Sequence, residues 1–441
     1  MKRYDAVVIG GGILGCFTAR NLRRWNISTA LIEKEDDVCK GITRANSAIV
    51  YAGYDNKPGS RKAAMTVRGN ANMGALCEEL EVPFSRCGSL LVTYDEASVS
   101  KLKKKLQNGI QNGVPGVRLL SGAEAEAMEP MLRPGVVAAL HAPGTGTVNP
   151  WQLGIAAYEN ALQNGAEALL NTRVRGIRKA ESGFVIETDE GAVCCKMVIN
   201  CAGLWADKVQ ELLCPPDAHL ELDGAEYLVL DSLAEKPSRV IFLQAQSCGK
   251  GITAIPCVEG NLLISGVRKP LGIPFATTPE GLRELHIATG ELLPGVDLTK
   301  VIRSFGAVRP NPHKVTGESL NDFNIENPVP GFYSLIGIKT PGLTCANELG
   351  LYLAQQAAAY LNAEENPGFD PKRGAIANKD SQIICQCEKI TRSEIIEAIR
   401  RGAVTVDGVK RRVGSGMGRC QGSRCTYEIE KLLEEYRNGT L

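Results

Sequence analysis

Four cysteines near the end of the chain have the type and spacing to hold inorganic chemistry. Cys385-Gln386-Cys387 is followed, after 32 residues, by Cys420-Gln421-Gly422-Ser423-Arg424-Cys425. Four thiolates complete a [2Fe–2S] cluster, two to each iron. A structural zinc ion or four unrelated thiols are the alternatives. Four-cysteine zinc sites typically put about two to four residues inside each pair, and the first pair here encloses only Gln386. Between the pairs, Thr391-Arg392-Ser393-Glu394 reads as a capping box. Residues 394–401 then read as a short helix stopped by Gly402. Gly414, Gly416 and Gly418 are expected to bring bare backbone close to whatever the second pair binds.

A second constellation stands at the other end. An apolar strand over residues 5–9 runs into Gly10-Gly11-Gly12-Ile13-Leu14-Gly15, then a helical stretch over 16–25. A second strand over 28–32 ends in Glu33-Lys34. Gly10 permits a tight turn, Gly12 lets backbone approach a pyrophosphate, and Gly15 lets helix and strand pack closely. The helix N-terminus attracts the negative charge. Glu33 falls about twenty residues on, placed to accept from a ribose hydroxyl. An acid there disfavours a 2′-phosphate, and so NADP.

Two later turns repeat the theme of small residues after a strand. Asn200-Cys201-Ala202-Gly203-Leu204-Trp205-Ala206-Asp207 follows residues 197–199, and Gly337-Ile338-Lys339-Thr340-Pro341-Gly342-Leu343-Thr344 follows 333–336. Either alone could be an ordinary turn. Together with the N-terminal turn they resemble the D-amino-acid-oxidase-like superfamily of FAD enzymes, over residues 1–365. The resemblance implies FAD as the dinucleotide. It implies cofactor contacts at Gly10, Gly12, Ile13, Leu14, Gly15, Glu33, Lys34, Asn46 and Ser47. It extends them to Val174, Ala202, Gly203, Gly337, Gly342, Leu343 and Thr344.

Three further resemblances narrow the expectation. Gly41-Ile42-Thr43-Arg44-Ala45-Asn46-Ser47, Tyr51-Ala52-Gly53 and Lys57-Pro58-Gly59-Ser60 resemble the L-2-hydroxyglutarate dehydrogenase branch. Gly416-Met417-Gly418-Arg419-Cys420-Gln421-Gly422 resembles the bacterioferritin-associated-ferredoxin-like [2Fe–2S] module. A flavin domain followed by such a module is similar to the large subunit of anaerobic glycerol-3-phosphate dehydrogenase.

The expected fold is α/β: a discontinuous Rossmann-like FAD-binding domain, an antiparallel-sheet substrate domain and a small C-terminal helical [2Fe–2S] domain. Alternating strand and helix at the start predict a parallel sheet. Residues 227–230, 240–242, 252–256 and 261–266 read as successive antiparallel strands. The oxidoreductase domain is placed at 1–365, with flavin parts at 1–80, 145–215 and 325–365 and substrate parts at 81–144 and 216–324. Residues 366–381 read as a linker and 382–441 as the cluster module.

Removing a hydride from a carbon bearing OH or NH requires an oriented substrate and a proton acceptor. Arg309, in Gly306-Ala307-Val308-Arg309-Pro310, is the best anion clamp, because a guanidinium offers two parallel bonds to a carboxylate or phosphate. The resemblance puts a substrate-binding arginine at this motif and a basic or polar residue near the flavin at Lys339. Tyr51 stands where the hydroxyglutarate branch has a histidine. Tyr227 could cover the substrate, and His313, four residues past Arg309, could reach it. Against these stand bland readings: a surface arginine, a turn lysine, a core tyrosine and a structural histidine. Tyr54-Asp55 occupies the position where related glycerol-3-phosphate enzymes carry a phosphate-binding arginine. Asp55 would repel a phosphate, which ranks a small 2-hydroxy acid ahead of glycerol 3-phosphate and an amine third. Lys57 and Arg61 nearby keep the phosphate open. A subunit that relays electrons without turning over is the reading from a different class.

Composition bounds the rest. The 441 residues are 44% hydrophobic and 22% charged with net charge +1, so no broad nucleic-acid or membrane field is implied. Arg400-Arg401 and Lys410-Arg411-Arg412 are local basic clusters, expected as a solvated face or as a docking patch for an acidic partner. No apolar run is long enough to span a membrane, and the short one after Met1-Lys2-Arg3 leads straight into the glycine turn. Fifteen cysteines without a secretion signal predict a reducing cytoplasm. An association with the membrane would come through a partner, expected to be an electron-accepting subunit. Cys194-Cys195 is assigned no redox role.

Overall fold

The run Tyr-Asp-Ala-Val-Val-Ile has the β-branched, apolar content of a strand buried on both faces. The computed structural model describes residues 1–244, 250–266, 269–374, 376 and 382–441. In it, Lys2–Ile9 is the centre of an eight-stranded sheet. One edge pairs in parallel with Thr29–Ile32, which pairs with Glu167–Leu169. The other edge pairs in parallel with Gly191–Asn200. That long strand divides its far edge between antiparallel Gly183–Thr188 and parallel Phe332–Ile336. Ile9, Asn200 and Ser334 therefore stand side by side, and the chain leaves all three strands in the same direction. The carboxyl ends of parallel strands are where such sheets bind ligands.

Helices Ile13–Leu22, Pro150–Gln163 and Ala346–Leu361 belong to the same domain, and Phe17, Leu31, Leu153, Ile199 and Leu353 share one core. The first helix begins three residues before the expected 16, because Gly12 already serves as its N-cap.

Among the described residues the second sheet has nine strands. The four expected strands are present as Ala218–Leu230, Val240–Gln244, Lys250–Pro256 and Leu262–Ser265. One long strand escaped the sequence reading. Val301–Lys314 pairs antiparallel with Ala218–Leu230 along its whole length. Pro310 and Pro312 argue against a strand, yet this strand is at the sheet edge, where a missing N–H is tolerated.

The C-terminal module packs helices Arg392–Arg400, Val406–Val413 and Thr426–Arg437 around Ile395, Val409, Ile429 and Leu433. The capping box of Thr391 and Glu394 forms as expected. Gly414 does not approach the cysteines: it is the left-handed cap of the second of these helices, and a Cβ there would meet nothing within 4 Å. The expected linker begins as a strap stitched to the flavin domain. The Asn366 N–H donates to Arg24 O at 2.8 Å, and Arg20 donates to Pro371 O at 3.0 Å. Its residues 375 and 377–381 lie outside the described residues. The basic cluster is not a solvated face at two of its positions: Arg411 and Arg412 are 3% and 5% exposed. Among the described residues no helix is long and apolar enough to cross a membrane.

Candidate functional site

The N-terminal turn has the geometry its glycines promised. Gly10 has φ 103°, and a Cβ there would stand 2.6 Å from Cys201 O. A Cβ on Gly15 would stand 1.8 Å from Gly10 O. Gly12 is different: a Cβ there would meet only Thr43 Oγ1, at 3.6 Å, so bare backbone faces the cavity. The Ile13 N–H donates to Thr43 Oγ1 at 3.0 Å. Glu33 accepts from the Gly11 N–H at 2.6 Å and from the Glu35 N–H at 3.0 Å. Burial raises its pKa. The carboxylate thus ties the turn to the second strand while lining the cavity where a ribose would lie.

Lys34, Asn46, Ser47, Ala202, Gly203, Gly342 and Leu343 line the same cavity with Gly10, Gly12, Ile13 and Leu14. A helix N-terminus whose cap residue, Gly12, offers no side chain, a bare glycine backbone and a half-buried acid are the features a dinucleotide needs, so the residues present fit FAD. Four expected contacts do not line the cavity. Gly15 packs beneath the turn, and Gly337 gives space to the Pro312 ring, 2.6 Å from where its Cβ would be. Thr344 Oγ1 accepts from the Tyr51 N–H at 3.0 Å and so supports Tyr51 from behind. Val174 opens the strand Val174–Ala180 opposite Thr188, away from the cavity wall.

Arg309, Lys339, Tyr51 and Tyr227 do meet in that cavity. Tyr51 stacks with Phe242 at 6.1 Å and Tyr227 with Phe305 at 4.7 Å, which fixes both rings. Arg309 lies opposite Asp223 in the two-strand pairing. Two residues on, Asn311 donates to Asp223 at 2.8 Å, and Lys339 Nζ donates to Asn311 at 3.5 Å. The buried Nε of Arg309 has no hydrogen-bond partner among the described residues. His313 is not part of the site. Its Nε2 lies 3.3 Å from Glu221, and it is absent from the cavity wall, because the strand carries it past the sheet's mouth.

Trp205 and Arg44 lie inside quoted motifs but carry no expected role, and Phe275 lies outside them; all three line the wall. Trp205, 57% exposed, lies 5.4 Å from Lys34 Nζ, and Arg44 stands over Phe275. Phe275 has φ 63°, and nothing in the sequence marked it. A second cavity adjoins the first, sharing Tyr51, Arg309 and Lys339. Lys57, Lys62, Lys101, Lys104 and Lys105 line it. The last three come from one face of helix Val99–Gln111, a spacing of three and four that was legible in the sequence. Asp55, expected to repel a phosphate, is ion-paired with Lys105, so its charge is largely cancelled.

The four cysteines come together as two cross-pairs. Cys385 meets Cys425, both 1% exposed, and Cys387 meets Cys420 nearer the surface. The Gly416 N–H points to Cys385 Sγ at 3.5 Å, and a Cβ on Gly418 would stand 2.5 Å from Cys387 Cβ. These glycines thus serve the first pair as well as the second. Burial opposes ionisation of Cys420, but hydrogen bonds from Cys387 and from the Gly422 and Arg424 backbone hold it down to about 7. Burial and the neighbouring Cys385 push Cys425 up to about 12. Among the described residues no three His, Cys, Asp or Glu side chains are placed to hold one ion. A two-iron cluster asks for two thiolates at each iron, which is what two thiol pairs offer.

Comparison with known proteins agrees. Residues 5–356 match the model of the FAD dependent oxidoreductase family, and residues 383–435 match the BFD-like [2Fe-2S] binding domain. The chain is 38% identical to a glycerol 3-phosphate dehydrogenase of Caloramator mitchellensis, over 98% of this chain and 94% of that one. It is 32% identical to the human mitochondrial L-2-hydroxyglutarate dehydrogenase, over 52% of each. The fold superposes with TM-score 0.78 on dithionite-reduced L-alpha-glycerophosphate oxidase from Mycoplasma pneumoniae with FAD bound, at 25% identity, covering 85% of this chain and 99% of that one. A glycine turn, a converging second and third turn and two thiol pairs thus have one common explanation: the chain belongs to the FAD dependent oxidoreductases and carries a BFD-like [2Fe-2S] domain at its C-terminal end.

Proposed function

We propose that this enzyme oxidises the secondary alcohol of glycerol 3-phosphate. The observation that carries the reading is the buried, unpartnered Nε of Arg309 at the junction of the two cavities, beside Lys339. A buried donor left unsatisfied costs about 1–3 kcal/mol, and a phosphate recovers it. Even with Lys105 paired to Asp55, the lysines of the adjoining cavity outnumber its carboxylates, Asp55 and Asp322, and so favour a dianion over a monoanion. The pairing of Asp55 with Lys105 removes the reason for ranking a 2-hydroxy acid first. A relative matched over 98% of this chain is a glycerol 3-phosphate dehydrogenase, which supports the same order.

In this reading Arg309 and Lys339 bind the anionic end, and Tyr51 and Tyr227 close over the carbon that reacts. The phosphate held at one end orients the C–H toward the cavity floor. When bound, FAD accepts hydride and the cluster carries single electrons toward an acceptor outside the chain. That acceptor is an electron-accepting protein subunit, and the chain works in the cytoplasm or at a membrane surface through that partner. Residues 1–365 form the oxidoreductase unit, 366–381 the link and 382–441 the cluster module.

L-2-hydroxyglutarate is the second reading, favoured by the half-length relative. Anaerobic mixing of the holoenzyme with each compound decides. Glycerol 3-phosphate should bleach the flavin at the lower concentration. Faster bleaching by L-2-hydroxyglutarate would reverse the order, and no bleaching by either would leave a relay subunit.

A further inference from the structure

The second helix of the cluster module, Val406–Val413, ends in two arginines that face the flavin domain rather than water. Arg411 Nη2 donates to Asp37 Oδ2 at 2.6 Å, and Arg412 Nη1 donates to the same oxygen at 2.7 Å. Arg412 Nη2 reaches Asp37 Oδ1 at 3.1 Å. The side chains of Asp37 and Arg412 are 2% and 0% exposed. Gly408 makes the approach possible, since a Cβ there would already lie 3.3 Å from Asp37 Oδ2. A second buried acid extends the clamp: Glu159, on helix Pro150–Gln163, accepts from Arg373 at 2.8 Å, Arg412 at 3.2 Å and Arg401 at 3.4 Å.

The position of Asp37 gives the clamp its meaning. The next residue, Val38, accepts from Arg411 through its carbonyl, and its side chain packs on Gly11. The residue after that, Cys39, donates from its N–H to Gly11 O at 2.8 Å. The module is thus bolted to the segment that backs the pyrophosphate turn. Surface ion pairs hold little and are screened by salt. Buried ones act as all or nothing: removing one partner strands the others without compensation. A module held this way is either docked in one pose or released.

We propose that Asp37 is a positioning residue that fixes the cluster module against the flavin's pyrophosphate turn, so that electrons move between the two cofactors along one fixed path within the chain and not through a swinging module. The proposal rests on the flavin-to-cluster route given above.

The test uses the full-length holoenzyme and the variants Asp37→Asn, Arg412→Gln and their double. Hydrogen exchange reads docking at residues 406–413 and 38–39. Freeze-quench EPR after mixing with glycerol 3-phosphate reads arrival of electrons at the cluster, and flavin absorbance reads the first step. Either single variant should lose protection at both segments by on the order of a hundredfold. Each should bleach its flavin at the wild-type rate yet fill the cluster more slowly. The double variant removes Asp37 and one of its two arginines, leaving Arg411 its bond to Asp407, and should recover part of the protection. General destabilisation would slow bleaching and cluster filling together and would not be relieved in the double. If Asp37→Asn fails to fold, Arg412→Gln, which touches no flavin-site residue, carries the same expectations. Wild-type protection and cluster filling in either single variant overturns the proposal. A wild-type enzyme whose cluster never fills overturns the route, and the exchange data then still judge the docking.

Discussion

The two cofactor sites of this chain are assembled on opposite plans. The four cysteines of the C-terminal module fall within residues 385–425, and Cys385, Cys387 and Cys425 pack into one small core of their own. The flavin cavity draws on residues 10–51, 201–205, 224–275 and 307–343, which meet only because three parallel strands end side by side. A local site can be made or lost within its module, whereas a dispersed one depends on the register of a whole sheet. The difference predicts that each site fails without the other, in ways that differ in severity.

The largest effect should come from Gly15→Val. A side chain there collides with Gly10 O, so the turn cannot close and the protein should be purified without flavin. Flavin content after desalting measures it, and a fully loaded variant would refute the packing role of Gly15. Cys420→Ser comes next. It should remove the cluster's visible absorbance and iron while flavin remains and is still bleached by substrate, because the two sites share no ligand. Loss of both cofactors would show that the modules are not independent in assembly.

Arg309→Ala should lower kcat/KM by about a hundredfold, the loss of a charge-assisted pair of hydrogen bonds worth roughly 1.5–3 kcal/mol. Arg309→Lys should recover part of it, since charge remains and the two-pronged geometry does not. Normal turnover in the alanine variant would take this residue out of the site. The smallest effect should be that of Lys101→Gln with Lys104→Gln. These lysines line the outer cavity, so kcat/KM should fall about two- to threefold at low ionic strength and converge with the wild type as salt screens the field. A salt-independent loss would mean direct contact with the substrate instead.

The same contrast explains what could be read in advance. The cysteine pairs, the capping box at Thr391 and the turn from Gly10 to Gly15 are local patterns, and each was legible as such. Arg309, Lys339, Tyr51 and Tyr227 were found through motifs, and the fold brings them to one cavity. His313 was misplaced because four residues along a strand is about 13 Å of travel, enough to leave the cavity for Glu221. The strand Val301–Lys314 was hidden by prolines that only an edge position permits. Asp55 was misjudged because its neutralising partner, Lys105, is 50 residues away.

The sequence by itself determined which cofactors the chain holds, because glycine turns and thiol pairs act through backbone and ligands only a few residues apart. Tertiary structure alone decided how charges are compensated. Arg411 and Arg412 read as a basic surface run, yet they are buried against Asp37 and Glu159, more than 250 residues upstream. Whether an ionisable side chain is solvated, paired or left waiting for a ligand depends on what the fold sets within a few ångströms of it, and no spacing along the chain records that distance.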